Sequence, residues 1–209
     1  MSEPAANKIH LMNQMASGDL HRSPLHRVDV TADGGSELRF TLRERLAHLV
    51  IRGASESLAP AVQAAFGLAL PIKPLTSSNN GDLCLRWVSP DEWLLTGPES
   101  DALALERGLR DACSDRCAVV NVSGGQLALT LSGPAAKTVL MKSVPYDLHP
   151  DNFPIDKVVT VTLAKGQCLL RRIEADAFEM IVRRSFADYL WDWLADAGSE
   201  FDVAVVRDQ

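Results

Sequence analysis

No stretch of this chain approaches the roughly 18 uninterrupted apolar residues of a membrane-spanning helix. The opening MSEPAANKIHLMNQM also lacks the basic-then-apolar order of a secretory signal. The expected compartment is therefore the cytoplasm, with no membrane partner. A basic surplus is missing too: 21 Lys and Arg face 27 Asp and Glu, a formal net charge of −6. Phosphate backbones demand the opposite balance, which argues against nucleic acid as a partner. Cysteine is scarce, with four residues at positions 84, 113, 117 and 168. In a chain without a signal these are expected as reduced thiols. Cys113 and Cys117 have helical i,i+4 spacing, yet no nearby His or second Cys pair completes a four-ligand metal set, so they read as packing residues.

Catalytic signatures are equally thin. Gly34-Gly35 and Gly124-Gly125 lack the G-x-G-x-x-G spacing or the Lys-Ser/Thr ending that cradles phosphates, and no Ser stands in a G-x-S-x-G elbow. The histidines, at 10, 21, 26, 48 and 149, are not paired within an ordered element, and the carboxylates are scattered over helix surfaces. No nucleophile, acid–base pair, metal set or cofactor site can be nominated, which argues against a self-contained enzyme.

What is present is a foldable core, since 46% of the 209 residues are hydrophobic. Residues 1–36 carry no sustained periodicity and read as an irregular N-terminal extension ending at Asp33-Gly34-Gly35. Alternation at Leu38, Phe40 and Leu42, then Leu49-Val50-Ile51, predicts strand. A helix follows with Leu58, Val62, Ala65 and Phe66 on one stripe, Ser55 or Ser57 as its cap and Gly67 as its stop. Residues 70–82 read as a loop. Strands at 83–88 and 93–96, a second helix capped by Ser100, and a strand at 118–122 complete a βαββαβ order, which is that of ferredoxin-like units.

The order then repeats. A strand at 127–131, a helix to about 143, a Pro-containing loop, strands at 158–163, 168–173 and 178–182, a helix at 185–197 and a last strand at 201–206 are predicted. The expected fold is α+β, with ferredoxin-like halves at 37–123 and 124–209, each an antiparallel sheet covered by helices. In the last helix the buried stripe is expected to be Phe186, Tyr189, Leu190, Trp193, Leu194 and Ala197, which leaves Trp191 about 140° from Phe186 and exposed as a contact for another chain. Arg171-Arg172 and Arg183-Arg184 are expected to meet at one sheet edge. There they serve either as solvated guards against aggregation or as a docking site for an acidic partner surface.

The blocks RWVSPDEWLLTGP (86–98), VVNVSGGQLALTLSGPAA (119–136), PYDLHPDNFP (145–154) and RRSFADYLWDWL (183–194) together resemble the gamma subunit of heterotetrameric sarcosine oxidase, over about residues 38–206. The resemblance implies a soluble four-subunit complex that demethylates sarcosine oxidatively to glycine and hydrogen peroxide, with formaldehyde or methylenetetrahydrofolate as the one-carbon product. It implies FAD, FMN and NAD on the large alpha and beta subunits, alpha, beta and delta subunits as partners, and no cofactor on this chain. It also implies the folate-binding aminomethyltransferase fold. The different-class alternatives are an independent folate-dependent one-carbon transferase, which needs an apolar pocket with a buried acid, and an adaptor that forms homodimers through Trp191 and the sheet edge.

Overall fold

The computed structural model describes residues 23–30, 36–113 and 116–208. His10, His21 and the Gly34-Gly35 breaker lie outside these. Among the described residues the strands are β1 (Leu38–Arg43), β2 (Leu46–Gly53), β3 (Ser77–Asn80), β4 (Leu83–Ser89), β5 (Glu92–Pro98), β6 (Cys117–Asn121), β7 (Gln126–Ser132), β8 (Val158–Leu163), β9 (Gly166–Glu174), β10 (Ala177–Arg183) and β11 (Val203–Asp208). The helices are α1 (Ser55–Phe66), α2 (Ala102–Ala112), α3 (Ala136–Met141) and α4 (Ala187–Gly198). No described helix is long and apolar enough to cross a membrane.

One sheet runs β3-β4-β5-β2-β6 and the other β8-β9-β10-β7-β1-β11. With β1 set aside, the two orders correspond strand for strand, so the repeat expected from element order is present in space. Each half is a βαββαβ unit with one additional edge strand, β3 or β8. β1 is wedged into the second sheet, antiparallel to β7 with Phe40 opposite Leu131, and parallel to β11 with Phe40 opposite Val205. The division between sheets therefore falls between β1 and β2, not ahead of residue 37. The alternation of Leu38, Phe40 and Leu42 identifies a strand, but which core those side chains fill is a tertiary matter, and all three are buried in the second. β3, inside the segment expected as a loop, is polar throughout and sits at an edge, where hydrophobic alternation gives no signal.

Strand periodicity assigns each sheet an inner and an outer face. On the first sheet, Leu49, Ile51, Leu85, Trp93 and Leu95 pack under Leu58, Val62 and Leu109 of α1 and α2. Burying each such side chain contributes about 1.5–3 kcal/mol. The Trp93 indole N–H is satisfied by the Pro71 carbonyl at 2.8 Å. On the second sheet, Phe40, Leu129, Leu131, Phe178 and Met180 pack under α3 and α4. The remaining faces meet through Leu94, Ala128 and Ile181, with Val50, Val122 and Leu169 around them. The layers are thus helix, sheet, sheet, helix.

Local signals held unevenly. Gly67 ends α1 in the left-handed conformation, with φ 64° and its N–H on the Gln63 carbonyl. The expected serine caps are not used: Ala54 and Asp101 occupy the cap positions of α1 and α2, and neither makes a side-chain capping bond to the helix. Within the extension, residues 23–30 lie on the chain's own second half. Leu25 is fully buried there, and Arg207 donates to the carbonyls of Leu25 and Val28 at 2.8 and 3.0 Å.

The face of α4 differs from expectation by about a quarter turn. Its buried residues are Ala187, Leu190, Leu194 and Gly198, while Phe186, Tyr189 and Trp193 are exposed. Small residues decide this. A Cβ at Gly198 would stand 2.7 Å from Leu38 Cδ2, so the helix lies closest to the sheet where only a hydrogen fits, and the large rings are turned outward.

Candidate functional site

Most of the buried polar side chains lie between the sheets. Arg86 on β4 and Glu179 on β10 sit in apolar strands on the faces that meet, with side chains 1% and 2% exposed. Arg86 Nε and Nη2 donate to Glu179 at 3.0, 2.8 and 2.6 Å, and Nη1 donates to Thr96 Oγ1 at 2.8 Å and the Cys84 carbonyl at 3.1 Å. Arg171 on β9 adds Nε to Glu179 at 3.0 Å and reaches across to Asn79 Oδ1 on β3 at 2.7 Å. Arg43 on β1 stands 3.8 Å from the same carboxylate.

Burial by itself pushes the Glu179 carboxyl up, but the combined pull of Arg86, Arg171 and Arg43 outweighs it and brings the group down to about 2. Burial likewise opposes charge on Arg86, and Glu179 reverses this, so the guanidinium is held more firmly protonated than usual. A carboxylate fixed this way neither takes nor gives a proton near neutrality. Chemically the cluster is an inter-sheet lock. Buried pairs of this kind gain little over apolar packing, yet removing one member costs about 3–5 kcal/mol, because the other charges are stranded.

Beside the lock is His48 on β2, 3% exposed, whose two ring nitrogens have no hydrogen-bond partner among the described residues. Burial first, and Arg86 second, lower it to about 4, so the ring is neutral. Burial pushes the Cys168 thiol up to about 12 and raises Cys84 as well, which leaves neither as a thiolate nucleophile. Two openings flank the lock. One, of about 200 Å³, is lined by Val50, Leu94, Leu169 and Ile181, with Glu92 and Arg183 among its polar residues. The other, of about 310 Å³, is bordered by Arg43, His48, Ser123 and Arg184. Among the described residues no group of three His, Cys, Asp or Glu is placed to hold a metal.

The residues expected at a partner surface are dispersed. Trp191 is half-buried, its ring edge-on to Phe40 at 5.2 Å, and so belongs to the second core. Arg171 is spent on the lock. Arg172, also buried, points to the helix side and donates to the carbonyls of Phe153, Glu174 and Ala175 at 3.0, 3.2 and 2.6 Å. β9 and β10 are interior strands, and the two arginine pairs lie at opposite ends of their hairpin, so they do not meet at an edge. Arg183 is exposed, and Arg183 and Arg184 each border one opening. Sequence reasoning missed Arg86 and Glu179, and His48, whose place at a strand start reads as that of a half-exposed surface group, is buried. The available signal was a charge inside an apolar strand, as in LCLRWV and FEMIV, but the partner lies 93 residues away.

These features define a class: a tandem ferredoxin-like sandwich whose buried charges are committed to one another. The aminomethyltransferase T of the glycine cleavage system from Bartonella henselae shares the fold at 19% identity and a TM-score of 0.59, over 82% of this chain and 48% of that one. The chain belongs to the sarcosine oxidase gamma subunit family, whose model matches residues 52–200. Sarcosine oxidase subunit gamma of Corynebacterium sp. strain U-96 is 33% identical over 200 residues, spanning 91% of this chain and 96% of that one. The corresponding protein of Corynebacterium sp. strain P-1 is 35% identical over 192 residues, 88% and 93% of the two chains. In the solved heterotetrameric sarcosine oxidase from Corynebacterium sp. U-96, in complex with pyrrole 2-carboxylate, one chain superposes with a TM-score of 0.77 at 31% identity, covering 87% of this chain and 96% of that one.

Proposed function

We propose that this chain is the gamma subunit of a cytoplasmic heterotetrameric sarcosine oxidase and acts as a scaffold for the subunits that hold the redox groups. The observation that carries this reading is the match to 96% of a chain in a solved heterotetramer. In this reading the alpha and beta subunits hold FAD, FMN and NAD, and the delta subunit completes the assembly. Sarcosine loses two electrons and its methyl carbon, as formaldehyde or as methylenetetrahydrofolate, and dioxygen takes the electrons to become hydrogen peroxide. This chain supplies shape. Its central acid is locked by arginines, which fits a rigid wall better than a proton-transfer centre. Arg183 and Arg184, beside the two openings, are candidate contacts to a partner; Trp191, Arg171 and Arg172 are engaged within the chain.

A folate-dependent transferase remains the second reading, on the strength of the shared aminomethyltransferase fold. A fold does not confer its ligand. That reading needs an acid buried in an apolar pocket, whereas the apolar opening holds Glu92, whose side chain is 28% exposed, and the deeply buried Glu179 is occupied by arginine.

Co-expression of a tagged chain with the candidate partner subunits, followed by size exclusion, subunit mass spectrometry and a flavin spectrum, tests the proposal. The expected result is one copy of each of four subunits with bound flavin, and a colourless chain when this subunit is expressed alone. Elution as a lone monomer or homodimer beside the partners sinks the scaffold reading. Tetrahydrofolate binding to the purified chain would favour the second.

A further inference from the structure

The two outer helix layers are unequal. On α1 and α2, Leu103 is the large hydrophobic left exposed among the described residues. On α4, Phe186 in its cap position and Tyr189 and Trp193 within the helix are 42%, 38% and 40% exposed, and Met141 at the end of neighbouring α3 is 64% exposed. With the helical 100° per residue extended back to its cap, the three rings fall within about 60° of one another, flanking the buried stripe. Tyr189 and Trp193 touch, with ring centroids 6.5 Å apart, and the Trp193 indole donates to Ser143 Oγ at 3.0 Å, which fixes its ring on the surface.

Beside the rings runs a line of exposed acids spaced by four: Asp188, Asp192, Asp196 and Glu200. The chain itself shows what such a line takes. Arg27, arriving from the N-terminal segment, places its guanidinium 3.0 Å from Asp188 and 4.0 Å from Asp192, and Lys142 at the end of α3 pairs with Glu200, so a partner's cations would add to or displace the chain's own. Rigid aromatic anchors next to a line of one sign form a surface for an apolar pocket with cationic groups at its rim.

We propose that this aromatic and acidic face of α4 is where another subunit of the oxidase docks, through a surface presenting an apolar pocket rimmed by Lys or Arg. The inference rests on the scaffold reading and adds the face and the chemistry of its partner. A second copy of this chain is a poor occupant: a two-fold contact would set acidic line against acidic line, on a chain already carrying −6.

The test uses the co-expressed complex. Phe186→Ser with Tyr189→Ser, and separately Asp192→Lys with Asp196→Lys, should each weaken co-purification about tenfold or more, while Leu103→Ser on the opposite layer leaves it unchanged. Circular dichroism of each variant reports whether the fold is intact. Oxidative footprinting of the unmutated protein needs no variant: Phe186, Tyr189 and Trp193 should each label more slowly in the complex than in the free chain, while Leu103 labels alike in both. If the wild-type complex forms and the rings label as fast in it as in the free chain, or both double variants co-purify normally, the docking face is overturned and the scaffold reading survives. If the wild-type chain captures no subunit, both fall together. A homodimer lost in the Phe186/Tyr189 variant also overturns the proposal.

Discussion

The two halves of this molecule share a strand order and differ in what they do with it. The first half, from β2 to β6, is self-sufficient in its sheet, and its helices cover a conventional apolar core. The second contains a strand from ahead of the first half, stacks Phe40 of that strand against Trp191 of α4, and turns three aromatic rings outward. Repetition therefore conserved the scaffold while the added strand and the unequal helix layers made the halves inseparable. The Arg86–Glu179 lock then joins the faces that neither half covers with helices.

Removing Glu179 should have the largest effect on this coupling. Glu179→Ala leaves Arg86 and Arg171 buried without their counter-ion and should cost about 3–5 kcal/mol in denaturant unfolding of the purified chain. Arg86→Met combined with Glu179→Leu should recover most of that loss. If the single and double variants are equally unstable, the halves are held together by something other than the charges.

Acid should act next, through His48. Its folded pKa of about 4 lies below the ordinary 6.5, so between these values the unfolded chain binds the proton and the folded chain refuses it. Stability should be full above pH 6.5 and fall by roughly 3 kcal/mol as the pH drops toward 4. Glu179, held at about 2, has the same sign and extends the loss below pH 4.5. His48→Leu should flatten the upper part of the limb alone; an unchanged pH profile in that variant would assign the acid sensitivity elsewhere.

Smaller effects separate the tryptophans and the surface rings. Trp191→Ala opens space beside Phe40 and should lower stability by about 2 kcal/mol, less than a fully buried tryptophan because Trp191 is half-buried. Phe186→Ser with Tyr189→Ser should change stability of the chain by less than about 0.5 kcal/mol. Thermal melts of the two variants side by side give the comparison directly, and equal losses would mean that the outer rings also belong to the core.

Much of this was legible in the chain. The apolar alternations of β2, β4, β5, β7 and β10, the Gly67 stop and the repeated element order are local patterns, and the four sequence blocks carried the family. β3 was not legible because a polar edge strand has no apolar period. The α4 face was misread because bulk was taken as the mark of burial, when Ala187 and Gly198 set the distance of approach. Arg171 and Arg172 looked like surface charges because a sequence does not reveal that Glu179 waits on the next strand and that three carbonyls converge on Arg172.

By itself, then, the sequence determined the order and kind of the elements, the doubling of the unit and the family, since these follow from short-range periodicity and contiguous blocks. Tertiary structure alone decided that β1 joins the second sheet, that Arg86 and Glu179 meet across the interface, and that Trp191 is inside while Trp193 is out. Those outcomes depend on contacts between residues dozens of positions or more apart, where complementarity of shape and charge, not local propensity, selects the arrangement.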